Sequence, residues 1–297
     1  PWDLAVDPLG RAPLRPFDSP DELADLAISV FEELDPYFAD CLREMRTMGR
    51  LDLGSRDGKA PGGYNYPLYE TGPPFIFMNA VGTTSDVITM VHEGGHAVHS
   101  FLTHPLPITG FKNFPSEVAE LASMSMELLT MEHWHLIYTD PEELRRAKRD
   151  QLERVLSILP WVATVDAFQH AIYTHPEWTI KERSKAWVEI HQRFGGDVVD
   201  WSGLDKVRAT LWHKQLHIFE GPFYYIEYAI AQLGAIGVWR NYKKNPTEAL
   251  HMYTDALKLG YTRTLPEIYA KAGISFDLSV SNVHELITFV REELDRL

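Results

Sequence analysis

Residues 83–102 constrain the fold of this chain most, because their pattern is that of an amphipathic helix. The run Thr-Thr-Ser-Asp at residues 83–86 is typical of a helix start. Val87, Val91 and Val98 then recur at helical spacing and mark an apolar stripe. Since residues three or four apart share a helix face, a neighbouring stripe collects His92, His96 and His99. The sequence therefore predicts a helix with one buried face and one histidine-rich face.

The segment MVHEGGHAVHS, residues 90–100, has the spacing of a metal site. The imidazoles of His92 and His96, one helical turn apart, can reach one ion, and Zn²⁺ suits them. A catalytic zinc site also needs a third protein ligand and an open position for water. Glu93 lies beside the pair, where its carboxylate can take a proton from that water. The alternative is a histidine-rich helix without a metal.

Gly94 and Gly95 argue against that alternative. A glycine in a helix interior costs about 1 kcal/mol relative to alanine. A pair in the middle of a helix therefore indicates that another part of the protein approaches the backbone closely.

A third metal ligand is available in the helical stretch FPSEVAELASMSMELL, residues 114–129. Glu117, Glu120 and Glu127 each carry a carboxylate, which fits the pattern of two histidines and one glutamate found in zinc peptidases. Spacing alone leaves all three open. Those that do not bind the metal could be solvated or could orient a histidine.

Composition narrows the classes of protein. The net charge of −14 argues against a nucleic-acid partner, which an acidic surface would repel. A single cysteine, Cys41, excludes an intramolecular disulfide, and we expect a reducing, cytoplasmic location. Apolar runs stay shorter than the roughly 18 residues of a membrane helix, so neither a membrane span nor a signal peptide is predicted.

The fold is predicted to be mainly α, with a small β-sheet. Capping patterns and apolar periodicity predict helices along most of the chain. Residues 51–82 differ, because glycine, proline and aromatic residues are clustered there. Residues 62–70 and 74–80 are interpreted as short strands joined by turns.

Four stretches resemble the oligoendopeptidase F branch of the thimet oligopeptidase family. The first is GKAPGGYNY together with PFIFMNAVGTTSDVITMVHEGGHAVHS, and the second is AELASMSMELL. The third is HIFEGPFYYIEYAIAQLGA, and the fourth is TLPEIYAKAGISF. The likeness is strong over residues 50–130 and moderate over residues 210–297.

The resemblance implies a zincin-like helical metallopeptidase domain that cleaves internal bonds of short peptides. It selects Glu120, with His92 and His96, as the ligands of one Zn²⁺ ion, and it makes Glu93 the general base. It aligns Glu127 with a second acidic position of the family. The implied activity is that of a metalloendopeptidase.

The third stretch carries residues that face the substrate in the family. The matching positions are His217, Tyr228 and either Tyr224 or Tyr225, with Tyr224 preferred for the site. We expect Tyr228, helped by His217, to donate hydrogen bonds to the oxyanion of the transition state. Spacing alone would favour a packing role for these aromatic residues.

Two further expectations follow from the resemblance. The strand at Phe75–Asn79 is expected to present its edge to an extended peptide, which would pair with it as an added strand. Residues 1–297 are expected to form a single catalytic domain. Because the family carries an additional N-terminal helical half, we expect this chain to be a fragment of a longer protein, a natural short form, or one of two chains.

Two other functions remain open from the sequence. A zinc carboxypeptidase would need a cationic group to hold the terminal carboxylate, and Arg208, Arg240 or Arg263 could supply it. A catalytically incomplete fragment would bind zinc and peptides without cleaving them, although the intact Glu93 argues against a degenerate site.

Overall fold

The computed structural model describes residues 7–297, and they are mainly helical. The α-helices are α1 (Pro20–Leu34), α2 (Pro36–Thr47), α3 (Thr84–Thr103), α4 (Thr109–Lys112), α5 (Ser116–Met131), α6 (Pro141–Thr174), α7 (Ile180–Gly195), α8 (Asp205–Thr210), α9 (His217–Glu220), α10 (Ile226–Lys244), α11 (Pro246–Leu257), α12 (Leu265–Lys271) and α13 (Val280–Asp295). The strands are β1 (Leu51–Gly54), β2 (Tyr64–Leu68) and β3 (Gly72–Ala80). The prediction of a mainly α fold with a small sheet is confirmed.

The three strands are ordered β1-β3-β2, so β3 lies in the middle. Ile76 of β3 pairs with Leu51 of the parallel strand β1 and with Asn65 of the antiparallel strand β2. The expectation that Phe75–Asn79 presents a free edge to a peptide is therefore wrong. The physical reason is β1, which the sequence did not reveal and which covers the second edge of β3.

The chain forms two compact units. The first comprises residues 153–230 with the described residues 7–12, and the second comprises residues 13–152 and 231–297. The first unit has its own hydrophobic core, with the buried residues Val162, Val165, Phe168, Trp187, Trp212, Ile218 and Tyr225. A single catalytic domain over residues 1–297 stays a prediction.

One helix, α6, is long and apolar enough to cross a membrane by length and composition alone. It has 34 residues, and an apolar stretch of 18 of them has a mean hydropathy of 1.3. Its Val162, Val165 and Phe168 are buried in the core of the first unit. Helices of protein cores meet the same criteria, so this is weak evidence for a membrane span.

In the second unit, α3 begins with a capping box. The Thr83 side chain accepts a hydrogen bond from the backbone N–H of Asp86, and the Asp86 carboxylate accepts one from the backbone N–H of Thr83. This pairing satisfies amide groups that would otherwise lack partners at the helix start. The capping box starts α3 at the position that the sequence predicted. The start of the helix determines which residues lie on its buried face and which lie on its histidine-rich face.

The glycine pair in α3 lies where two other helices approach its backbone. A Cβ atom at Gly94 would lie 2.7 Å from Cζ of Phe31 on α1. A Cβ atom at Gly95 would lie 2.8 Å from Cα of Ser123 on α5. The expected close approach is confirmed, and it holds α3 and α5 together at the level of the predicted site.

Candidate metal centre

His92 and His96 of α3 and Glu120 of α5 come together in the second unit. One ligand atom from each residue lies within 4.8 Å of the others. The Oε2 atom of Glu120 lies 3.3 Å from Nε2 of His92 and 3.9 Å from Nε2 of His96. The three residues can therefore hold one ion between them.

Packing at Gly95 brings Glu120 to the histidines. Because Gly95 has no side chain, α5 can approach α3 with Ser123 against the glycine backbone. Ser123 also lies one helical turn after Glu120, and its Oγ atom donates a hydrogen bond to Glu120 Oε2 at 3.1 Å. The glycine thus sets the distance between the helices, and the serine helps to fix the carboxylate.

Glu127 contacts the other side of the His92 ring. Its Oε1 atom lies 2.6 Å from His92 Nδ1. A proton on Nδ1 that bonds to this carboxylate leaves the lone pair of Nε2 for a metal ion. Glu127 thus fits the alternative in which a carboxylate orients a histidine, whereas the potential metal group among the described residues includes neither Glu127 nor Glu117.

The charges at this site favour a bound cation. Burial lowers the pKa of His92, but hydrogen bonds to Glu120 and Glu127 outweigh it and raise that pKa well above its ordinary value. Burial raises the pKa of Glu120, but the bond to His92 and the charge of His96 bring it down to about 2. Burial lowers the pKa of His96 to about 4. The ionised carboxylate of Glu120, and a His96 ring that stays neutral, suit a divalent metal.

Glu93 has the properties of a general base. Its side chain is buried, with the residue only 6% exposed, and its Oε2 atom has no hydrogen-bond partner among residues 7–297. Burial raises the pKa of Glu93 to about 7. A carboxyl group with such a pKa can both accept and release a proton near neutral pH.

His99 is a core residue. It is fully buried, and its ring stacks on Phe114 with the ring centroids 3.6 Å apart. Burial lowers the pKa of His99 to about 3, so the ring is neutral. It lies outside the group formed by His92, His96 and Glu120.

A second cluster, in the first unit, brings together His217, Tyr224, Tyr225 and Tyr228. We call it the histidine–tyrosine cluster. The Oη atom of Tyr228 lies 3.3 Å from Nε2 of His217. The ring of Tyr224 stacks on His217 at 5.6 Å, and Tyr225 meets His217 edge-on at 5.1 Å. Tyr225 is 7% exposed and belongs to the hydrophobic core, whereas Tyr224 is half-buried and more accessible to a ligand.

Gln215 contacts this cluster, and no pattern in the sequence indicated that it would. Its Oε1 atom accepts a hydrogen bond from the indole Nε1–H of Trp161 at 3.2 Å, and its Nε2 lies 2.7 Å from Nδ1 of His217. Because an indole N–H can only donate, the oxygen of the Gln215 amide must face Trp161. The NH₂ end of the amide therefore faces His217 and donates to Nδ1. A neutral His217 therefore carries its proton on Nε2, facing Tyr228.

Curated proteins resemble this chain over most of its length. The chain is 24% identical over 281 residues to oligopeptidase PepF from Bacillus subtilis (strain 168). This alignment covers 93% of this chain and 41% of PepF. It is 25% identical over 268 residues to the plasmid oligoendopeptidase F of Lactococcus lactis subsp. cremoris, which covers 83% of this chain and 41% of that protein.

A solved structure has the same fold. The structure of PZ peptidase A with inhibitor 2 superimposes with a TM-score of 0.89 at 30% identity and covers 96% of this chain and 50% of that chain. The chain therefore spans about half the length of the relatives it matches. The sequence pattern described as Peptidase family M3 matches residues 30–281. This match confirms the resemblance noted in the sequence, and the chain belongs to peptidase family M3.

Proposed function

We propose that this chain hydrolyses internal peptide bonds of short peptides as a zinc-dependent endopeptidase. The observation that carries the proposal is the group of His92, His96 and Glu120, whose ligand atoms lie within 4.8 Å of one another. The buried carboxyl group of Glu93 lies on α3, the helix of the two histidines. Membership of peptidase family M3 supports the class of reaction. Because the chain spans about half of its relatives, the activity of the whole protein is part of the proposal.

His92, His96 and Glu120 would hold one Zn²⁺ ion. Two imidazoles and one carboxylate are the donor set of many catalytic zinc sites, which leave a position open for water. Zinc supplies Lewis acidity when bound, which lowers the pKa of a coordinated water and polarises a carbonyl group. Glu127, whose Oε1 atom lies 2.6 Å from Nδ1 of His92, would orient the ring and leave Nε2 as the atom that binds the ion.

Glu93 moves the proton in this proposal. Its carboxylate accepts a proton from the water that attacks the peptide carbonyl, and then gives it to the nitrogen of the leaving amine. The raised pKa of Glu93, about 7, suits both transfers, because a catalytic group is most effective when its pKa lies near the working pH.

The histidine–tyrosine cluster supplies hydrogen-bond donors. The Nε2 proton of His217 is directed at Tyr228, and this contact orients the phenol group. We propose that Tyr228, helped by His217 and Tyr224, donates to the oxygen on which negative charge develops. Such donors act most strongly when their orientation is fixed before the substrate binds. Gln215 fixes the orientation of His217 in this way.

Endopeptidase action is favoured over carboxypeptidase action. Relatives of this chain include an oligoendopeptidase F, and we extend that endopeptidase activity to this chain. A carboxypeptidase needs an arginine for the terminal carboxylate. Arg240 already pairs with Glu285 at 2.6 Å, and Arg263 donates to the backbone oxygen of Thr262 at 2.8 Å. Arg208 packs over Trp201, and its hydrogen bonds to Nδ1 of His191 are long, at 3.4 Å, so it is the arginine most available as a clamp.

Mass spectrometry of a mixed set of short peptides tests the proposal. The zinc-loaded protein should make internal cuts that a chelator abolishes and that added zinc restores. Loss of single C-terminal residues would instead support a carboxypeptidase, and Arg208→Ala should then impair it. Zinc binding without cleavage would support the incomplete fragment and show that the chain needs its missing half or a partner.

A further inference from the structure

Gln151 of α6 contacts the carboxylate that faces His92. Its Nε2 atom donates a hydrogen bond to Oε2 of Glu127 at 2.8 Å, while Oε1 of Glu127 lies 2.6 Å from Nδ1 of His92. Gln151 is 1% exposed. Each oxygen of the Glu127 carboxylate thus has its own side-chain partner: Oε1 contacts His92, and Oε2 contacts the buried amide of Gln151.

The other end of the Gln151 amide is unsatisfied. Its Oε1 atom is buried and has no hydrogen-bond partner among the described residues. A buried polar atom without a partner is destabilising, and an apolar side chain of similar shape would avoid that penalty. A glutamine at this position is therefore poorly explained by packing, but it is explained by the bond from its amide group to Glu127.

We propose that Gln151 is a positioning residue of the metal centre, which acts on His92 through Glu127. This inference rests on the proposed function, since it assumes that His92 binds zinc. Gln151 fixes the rotation of the Glu127 carboxylate, and the carboxylate in turn fixes the tautomer and the ring plane of His92. Without the amide, Oε2 of Glu127 loses a buried partner, the carboxylate can turn away from Nδ1, and His92 becomes a weaker ligand.

Zinc affinity, measured by competition with a chromogenic chelator, tests the proposal without any peptide. Gln151→Met removes the amide and nearly keeps the shape. We expect its zinc dissociation constant to rise about tenfold, the lower end of the effect of removing a group that orients a metal ligand. Gln169→Met is the matched control. Gln169 also lies on α6, is fully buried and has an amide without partners among residues 7–297. It should bind zinc as the wild type does.

The route through Glu127 is tested by combining substitutions. If Gln151 acts through Glu127, then Gln151→Met should change zinc affinity by less than about twofold in a Glu127→Ala background. An undiminished effect in that background would overturn the proposal, because Gln151 would then act by another route. ¹⁵N NMR of His92 in the zinc-free protein gives a second readout, in which Gln151→Met should weaken the hydrogen bond of Nδ1.

The outcomes separate this inference from the proposed function. If the wild type does not bind zinc, the proposed function fails. If the wild type binds zinc and folded Gln151→Met binds it equally well, the positioning role alone fails. If Gln151→Met does not fold, Gln151→Leu replaces it, since it also removes the donor and keeps the site apolar. Unchanged zinc affinity in folded Gln151→Leu would contradict the proposal.

Discussion

The candidate metal group, formed by His92, His96 and Glu120, differs from the histidine–tyrosine cluster in the structural elements that carry its residues. His92 and His96 lie in the middle of the 20-residue helix α3, and Glu120 lies in the second turn of the 16-residue helix α5, which packs closely against α3 at Gly95. His217 lies on the four-residue helix α9. Between α9 and α10, Phe223 adopts a φ of 60°, which is uncommon for a residue other than glycine.

This difference concerns what fixes a functional side chain. In the candidate metal group, helix periodicity and helix packing set the positions of the three candidate ligands, so errors in packing should displace them. In the histidine–tyrosine cluster, side-chain hydrogen bonds from Trp161 and Gln215 set the orientation of His217. Substitutions at the two sites should therefore separate loss of position from loss of orientation.

Gly95→Ala should have the largest effect. The new methyl group would lie 2.8 Å from Cα of Ser123 and 3.0 Å from the backbone oxygen of Ala122, so α5 must move. We expect a loss of about 3 kcal/mol in the free energy of unfolding, typical of severe overpacking, together with weaker zinc binding. Urea unfolding and chelator competition measure both. Gly110→Ala is the control, because its methyl group would meet nothing closer than 3.9 Å. Equal stability of the two variants would show that packing does not fix the metal group.

Glu93→Gln should change how stability depends on pH in chelator-treated protein. The pKa of Glu93 is about 7 in the folded protein against a usual value of 4.5. Between these values the folded state keeps a proton that the unfolded state has lost, so the wild type loses stability as pH rises through this window. The glutamine variant cannot ionise, so its stability relative to the wild type should rise by about 3 kcal/mol from pH 4 to pH 8. Thermal unfolding at several pH values measures the difference, and a constant difference would contradict the buried ionisation of Glu93.

Glu120→Ala should weaken zinc binding more than about 100-fold, because even the loss of an outer hydrogen-bond partner costs 10- to 100-fold. Glu117→Ala is the matched control on the same helix, and it should leave zinc binding unchanged. Metal analysis after dialysis, followed by chelator competition, measures both variants. If Glu117→Ala lost the metal and Glu120→Ala kept it, the ligand set would be wrong.

Gln215→Met should have the smallest effect on stability, about 1 kcal/mol, the usual contribution of one side-chain hydrogen bond. It should leave zinc affinity unchanged while shifting the neutral tautomer of His217 away from Nε2–H, as read by ¹⁵N NMR. Peptide cleavage should fall without any loss of metal. An unchanged tautomer would mean that Gln215 does not orient His217.

The same difference decides what could be predicted from the sequence. Helical periodicity is local, so the helix of His92 and His96 and the close packing at Gly95 could be predicted from their own segment. The choice of Glu120 needed the family resemblance, because spacing left Glu117 and Glu127 open. Strand β1 was missed because Leu51–Gly54 is short and contains aspartate and glycine, which are rare in strands.

Hydrogen bonds between distant side chains could not be predicted. Gln151 and Glu127 are 24 residues apart, and Trp161 and Gln215 are 54 residues apart. Such contacts depend on how helices pack, and a single glutamine leaves no periodic pattern in the sequence. The two glutamines that orient histidines therefore emerge only from the folded structure.

The most direct test of the central claim is the cleavage rate of an internally quenched peptide by the wild type and by Glu93→Gln, with zinc content measured in the same samples. We expect both proteins to bind one zinc ion, and we expect the variant to cleave at least about 100-fold more slowly, as the loss of a general base requires. Equal rates at equal zinc content, or cleavage that a chelator leaves intact, would contradict a zinc peptidase in which Glu93 is the base.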